Sequence, residues 1–154
     1  MGVMAEVRFY HLEHQTLDEV LPRMLQLTLE RGGCAVVQTG SDERTEQLTD
    51  LLWTFDQESF LAHGSKADGE PGLQPIWLTA QDENPNGANV RFYVDGARAG
   101  SIDGLERAIV IFDGRDEAAV EAARQDWKRF KAGAHEVSYW QQDEQRRWQN
   151  RAAR

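Results

Sequence analysis

Two short runs constrain this chain more than any other feature: CAVVQ at residues 34 to 38 and ERAIVIF at 106 to 112. Each is a short, near-continuous apolar run, which reads as a strand buried on both faces, the signature of a parallel sheet. AEVRFYHL (5 to 12) alternates apolar and polar positions, while IWLT (76 to 79) and VRFYV (90 to 94) are further strands separated by the turn-rich QDENPNG. Helical spacing of Leu17, Val20, Leu21, Met24, Leu25 and Leu29 predicts a helix with Thr16 as its N-cap, ended by Arg31-Gly32-Gly33. Ser41 caps a second helix whose Leu48, Leu51 and Leu52 face inward. A long third helix is predicted from about Gly114 to Ala132, with Asp113 as N-cap, followed by HEVSYWQ as a last strand. Strands alternating with helices predict one α/β domain over residues 1–140, an open, mixed and mostly parallel sheet flanked by helices, then a charged tail over 141–154. The Gly, Ser, Lys, Asp, Glu and Pro content of residues 64 to 72 reads as a mobile loop.

At 154 residues and 40% hydrophobic content the chain has the size of a single core. Its net charge of −9 disfavours unassisted binding to a phosphate backbone, so no direct nucleic-acid contact is expected. The charge is uneven: residues 124–154 hold 8 basic and 4 acidic side chains and are the only net positive part, which points to a localised electrostatic role. A single cysteine, Cys34, rules out an internal disulfide. With no apolar run of membrane-spanning length and no leader pattern, the expected place is the cytoplasm, away from the membrane.

Open α/β sheets often hold nucleotides at a glycine-rich first turn. Here that turn is EHQTLDEV, without glycine, and neither GxxxxGK[ST] nor a well-placed GxGxxG occurs. The layout is thus Rossmann-like without a phosphate-binding loop, and no cofactor is expected. Ser59, His63 and Asp56 could be arranged as nucleophile, base and orienting acid, but no strained GxSxG elbow lifts the hydroxyl, and a turn serine with a surface histidine explains them more simply. His11 and His14, flanking Glu13, are a conceivable metal pair, yet residues three apart on a strand point to opposite faces and no further Cys or His completes the set. A degenerate nucleotide or hydrolase site stays as the alternative function.

The third helix offers a different kind of site. Val120, Ala123, Trp127 and Phe130 recur at helical spacing, and Arg124, Lys128 and Lys131 form an i, i+4, i+7 basic row beside them. Cations flanking an aromatic seam suit a short acidic ligand with an apolar end. The other reading is a surface helix whose basic end matches its dipole, with Asp116 and Glu117 in the first turn and Arg124, Lys128, Arg129 and Lys131 in the last two. The stretch LLWTFDQESFLAHG (51 to 64) gathers Trp53, Phe55 and Phe60 beside Ser59 and His63. It is either core at a helix end or an adhesive edge.

RFYHLE, LLWTFDQESFLAHG, FDG before the long helix and AARQDWKRFKAGAHEVSYW through and after it, in that order over about residues 5 to 148, resemble the chi subunit of the bacterial DNA polymerase III holoenzyme. VSYWQQDEQRRW resembles its alphaproteobacterial branch. The resemblance implies a non-catalytic accessory subunit of the clamp-loader assembly, expected as a monomer or heterodimer. One partner would be the acidic, phenylalanine-ending C-terminal tail of single-stranded DNA-binding protein, docked on Arg124, Trp127, Lys128, Lys131 and Val120. Trp127 stands where a tyrosine is usual and Val120 where some chi proteins place a lysine. The other partner would be the psi subunit, or a repair helicase, at Trp53, Phe60 and His63, with Ala62 in place of the usual proline.

Overall fold

The computed structural model describes residues 5–54, 63–66, 68–133 and 135–151. Its strands form one sheet in the order β3-β2-β4-β5-β1-β6-β7, made of β1 (Glu6–Leu12), β2 (Ala35–Gln38), β3 (Ile76–Thr79), β4 (Val90–Tyr93), β5 (Arg107–Asp113), β6 (Glu136–Gln142) and β7 (Trp148–Asn150). Every pairing is parallel except that of β6 with β7. The helices are α1 (Leu17–Glu30), α2 (Asp42–Thr54) and α3 (Glu117–Ala132).

Strand alternation sorts the apolar side chains between two covers. Tyr10, Leu12, Val37, Leu78, Phe92, Ile109 and Ile111 pack with Leu21 and Leu25 of α1 and Leu48 and Leu52 of α2. Val7, Phe9, Ala108, Val110, Phe112 and Val137 pack on the opposite face with Ala123 and Phe130 of α3 and with Ala99, Ile102 and Leu105 of the preceding loop. That loop is fastened to α3 through Asp126, whose carboxylate is only 6% exposed. It accepts from Arg98 Nε at 3.1 Å and Nη2 at 2.8 Å, a two-point guanidinium clamp, and from Arg129 Nη2 at 3.3 Å. Arg129 also donates to the Ala99 carbonyl at 2.6 Å and to that of Gly100 at 3.3 Å. Buried Arg91 donates to Gln38 Oε1 at 2.7 Å and to the Gln81 and Glu83 carbonyls, holding the 80–89 segment, whose Ala88 packs with Val36 and Trp77.

The capping expectations hold for α1 and α2. Thr16 and Glu19 form a reciprocal capping box, and Ser41 Oγ accepts from the Arg44 amide at 3.1 Å. For α3 the expected cap is corrected: the N-cap is Asp116, which accepts from the Ala118 and Ala119 amides at 3.0 and 3.3 Å, and the helix begins at Glu117. Asp113 is still strand, since the following Gly114 amide donates to the Leu12 carbonyl at 2.8 Å and carries the β5–β1 ladder one residue further. HEVSYWQ is not the last strand either. β6 runs to Gln142, and Asp143 turns the chain by accepting from the Gln145 and Arg147 amides, both at 2.9 Å. Trp148–Asn150, part of the stretch read as a charged tail, returns as β7 because the Trp148 indole meets the Tyr10 ring edge-on at 4.9 Å.

Cutting the clamp on α3 removes the carboxylate that Arg98 and Arg129 share. Asp126→Ala lowers stability by about 1–3 kcal/mol in urea unfolding, the range for hydrogen bonds to charged groups, and speeds amide exchange in residues 97–105 above all; unchanged exchange there contradicts the clamp.

Candidate functional site

α3 uses its cations for two purposes. The Arg129 guanidinium is already engaged by Asp126 and the loop carbonyls, so it offers little to a ligand. The other three stand on the outer side. The Arg124 side chain is 72% exposed and reaches Glu121 only at 3.9 Å, and Lys128, one turn on, is exposed. The Lys131 ammonium lies 5.5 Å from the centre of the Trp127 ring, within cation–π range.

Trp127 itself is half-buried. Its ring meets Phe9 at 5.7 Å and Tyr139 at 6.0 Å, at interplanar angles of 62° and 80°. It is therefore anchored by the core without being sealed in it, and Val120 packs against the same cluster one face along. Val120, Arg124, Trp127 and Lys131 follow one another along α3 at helical spacing, with exposed Lys128 one residue past Trp127, and Trp127 stands at the border with β6, where it meets Tyr139.

Two side chains that sequence reasoning did not assign to this site floor the same border. Tyr139 of β6 packs on Trp127 and on Phe112 at 6.1 Å, and its hydroxyl is hydrogen-bonded to Nδ1 of His11 on β1. Burial raises the Tyr139 phenol pKa, with Glu13 adding to the shift and Arg124 opposing it. His11 is not half of a metal pair: its ring points to Tyr139 and Glu13, whereas His14 lies beyond the end of β1 and is exposed. Among the described residues no group of three or more His, Cys, Asp or Glu could hold a metal ion. The signal that could have found Tyr139 and His11 is parity, since Phe9 with His11 and Val137 with Tyr139 alternate toward the α3 face.

At the end of α2, Trp53 is 49% exposed, a large apolar group on the surface. Its ring centre lies 4.3 Å from that of His63. His63 is buried and its Nε2 donates to the Thr49 carbonyl at 3.0 Å, so it backs the indole from inside rather than presenting itself to a partner, and it is not the surface histidine of the sequence reading. Asp56, Ser59 and Phe60 lie outside the described residues, so the expected triad and the Phe60 anchor have no geometry to compare.

Beyond the C-terminal ends of β4, β5 and β1 lies a crevice of about 570 Å³ lined by Arg44, Asp95, Arg98, Asp113, Arg115 and Asp126, where a doubly wound sheet would hold a nucleotide. Each of its arginines already has a carboxylate partner: Arg44 has Asp18 at 2.6 Å, Arg98 has Asp126 at 2.8 Å and Arg115 has Asp113 at 3.3 Å. The residues from Glu13 to Thr16 that lead into α1 contain no glycine to bring backbone amides around a phosphate.

The arrangement is that of a nucleotide-type α/β domain whose distinctive surfaces are aromatic and, on α3, cationic. The chain belongs to the DNA polymerase III chi subunit family, described as DNA polymerase III chi subunit, HolC, which it matches over residues 4–138. A protein of Rickettsia prowazekii (strain Madrid E), named probable DNA polymerase III subunit chi, is 28% identical to it over 109 residues, covering 71% of this chain and 66% of that protein. The chain spans just under two thirds of that relative's length. Both descriptions name the chi subunit of DNA polymerase III. No described helix is long and apolar enough to cross a membrane.

The ring of His11 sits against Gly114, where a β-carbon would collide with it. Gly114→Ala costs about 1–3 kcal/mol in thermal or urea unfolding, as overpacking does, and shifts the Tyr139 ring resonances by NMR; an unshifted Tyr139 contradicts the coupling of these rings.

Proposed function

We propose that this chain is a connector of the replication machinery that holds the acidic, phenylalanine-ending C-terminal tail of single-stranded DNA-binding protein on α3 and joins the clamp-loader assembly through its α2 end. The observation that carries this reading is the half-buried Trp127 indole with Lys131 over its ring and exposed Arg124 one turn before it. A guanidinium and two ammonium groups attract carboxylates, and the indole gives a terminal aromatic ring a rigid apolar face. The residues 124–154, with 8 basic against 4 acidic side chains, supply local attraction in a chain whose net charge is −9. Membership of the chi family supports the same partner class. Where some relatives are expected to carry a lysine this chain has Val120, and Lys128 and Lys131 are the cations in place to offset that loss.

For the second contact, the exposed Trp53 indole is rigid and large, the character of an interface anchor, and buried His63 braces it. The psi subunit is the partner we assign to it, with a helicase as the other candidate. The protein then acts as a monomer or in a heterodimer, in the cytoplasm, without touching nucleic acid itself.

Calorimetric titration with a short aspartate-rich peptide ending in phenylalanine gives saturable binding that weakens with salt. Arg124→Ala and Trp127→Ala each raise Kd by roughly tenfold or more, and deleting the terminal phenylalanine abolishes binding; equal Kd for the wild type and both variants removes the assignment. Trp53→Ala leaves the peptide Kd unchanged while the clamp-loader partner no longer co-purifies from cells, and retention of that partner counts against the α2 contact.

A further inference from the structure

The border between α3 and β6 holds a polar pair that the docking reading does not use. His11 Nδ1 and the Tyr139 hydroxyl are hydrogen-bonded beneath Trp127, and the His11 side chain is only 12% exposed, walled by Phe112 at 5.1 Å and Tyr139 at 5.8 Å. On its other side His11 Nε2 lies 3.2 Å from Glu13 Oε1, within ion-pair distance, at an angle that completes no hydrogen bond. Glu13 is itself held by the Gln141 amide, which donates to Oε1 at 2.8 Å. The charged and titratable groups facing the ring are therefore Glu13 just past β1, Asp113 at the end of β5, Tyr139 on β6 and, acting on Tyr139, Arg124 of α3. Gly114 leaves the space that the imidazole fills.

A carboxylate beside Nε2 favours the tautomer with its proton there, which leaves Nδ1 as acceptor and the phenol as donor. The geometry points to Tyr139 as a further member of the docking face, a hydroxyl that His11 aims: neutral His11 takes the phenol hydrogen bond, whereas protonated His11 donates from Nδ1 to the phenol oxygen and frees the O–H for a ligand carboxylate. The proton comes from solvent, and no bond other than hydrogen bonds changes. Tyr139 thus adds a donor beside Trp127 when His11 is charged, and His11 is its positioning residue. Burial holds the His11 imidazole below its ordinary range, against the pull of Glu13 and Asp113, so it is neutral in the free protein near pH 7. A bound carboxylate favours the charged form, so binding takes up a proton and tightens as the pH falls through and below the ordinary imidazole range.

This inference rests on the docking reading, and one experiment separates the two. The full chain is titrated calorimetrically with the aspartate-rich, phenylalanine-ending peptide at about pH 7.5 and about pH 5.5, where its carboxylates stay ionised, in buffers of different ionisation enthalpy that count protons. The wild type binds roughly three- to tenfold more tightly at the lower pH, the worth of one net hydrogen bond, with proton uptake. Tyr139→Phe, which keeps the ring packing, loses the gain at the lower pH; His11→Gln loses it too, and His14→Gln keeps it. Arg124-dependent binding that is flat with pH overturns this inference alone, as does a slope that survives in Tyr139→Phe or vanishes in His14→Gln. Absence of binding at either pH overturns the docking reading and this one with it. If His11→Gln fails to fold, Tyr139→Phe decides.

Discussion

Burial of the inner strand β1 on both faces is the constraint on which the rest of this molecule depends. β1 pairs in parallel with β5 on one side and β6 on the other, so its alternate side chains must each find an apolar cover. Tyr10 and Leu12 find it in the cluster with α1 and α2, and Val7 and Phe9 in the cluster with α3. The covers are unequal. Two helices shield one face, while the other has α3 and the loop that Asp126 clamps to it. At the β6 border α3 leaves Trp127 and Tyr139 only partly covered, and the candidate docking face is this incompletely covered margin of an otherwise sealed sheet.

That margin also explains how an acidic protein presents a basic site. Helical geometry divides the cations of α3: Arg129 turns to buried Asp126, where it is spent on holding a loop, and Arg124, Lys128 and Lys131 remain outside. The net charge of −9 therefore says little about the local field at the indole. A charged row borders an aromatic ring fixed edge-on by Phe9 and Tyr139, so a ligand meets a pre-set surface and loses less entropy on binding than it would on a mobile one.

Much of the architecture was legible because its signals are local. The run ERAIVIF announces β5 within one residue, the Thr16 to Glu19 box announces the start of α1, and the absence of glycine between Glu13 and Thr16 announces a first turn unlike that of a nucleotide site. The start of α3 was misjudged by three residues because Asp113 and Asp116 are equally good caps by composition. The choice went to Asp116 through the Gly114 amide, which a strand bond to Leu12 commits to the sheet. β7 was missed for a similar reason, since a three-residue strand carries almost no periodicity and its place is set by Trp148 packing on Tyr10.

Of the candidate site, the helix stripe of Val120, Arg124, Trp127, Lys128 and Lys131 was visible in the sequence, because spacing along one helix determines which side chains share a face. Which of the neighbouring cations face outward, that His63 backs Trp53 from the interior, and that His11 and Tyr139 meet beneath Trp127 were decided only by the tertiary structure. His11 and Tyr139 are 128 residues apart and become neighbours through the parallel register of β1 with β6. Register of that kind depends on how two distant strands and the helix above them pack at once, and no local pattern encodes it.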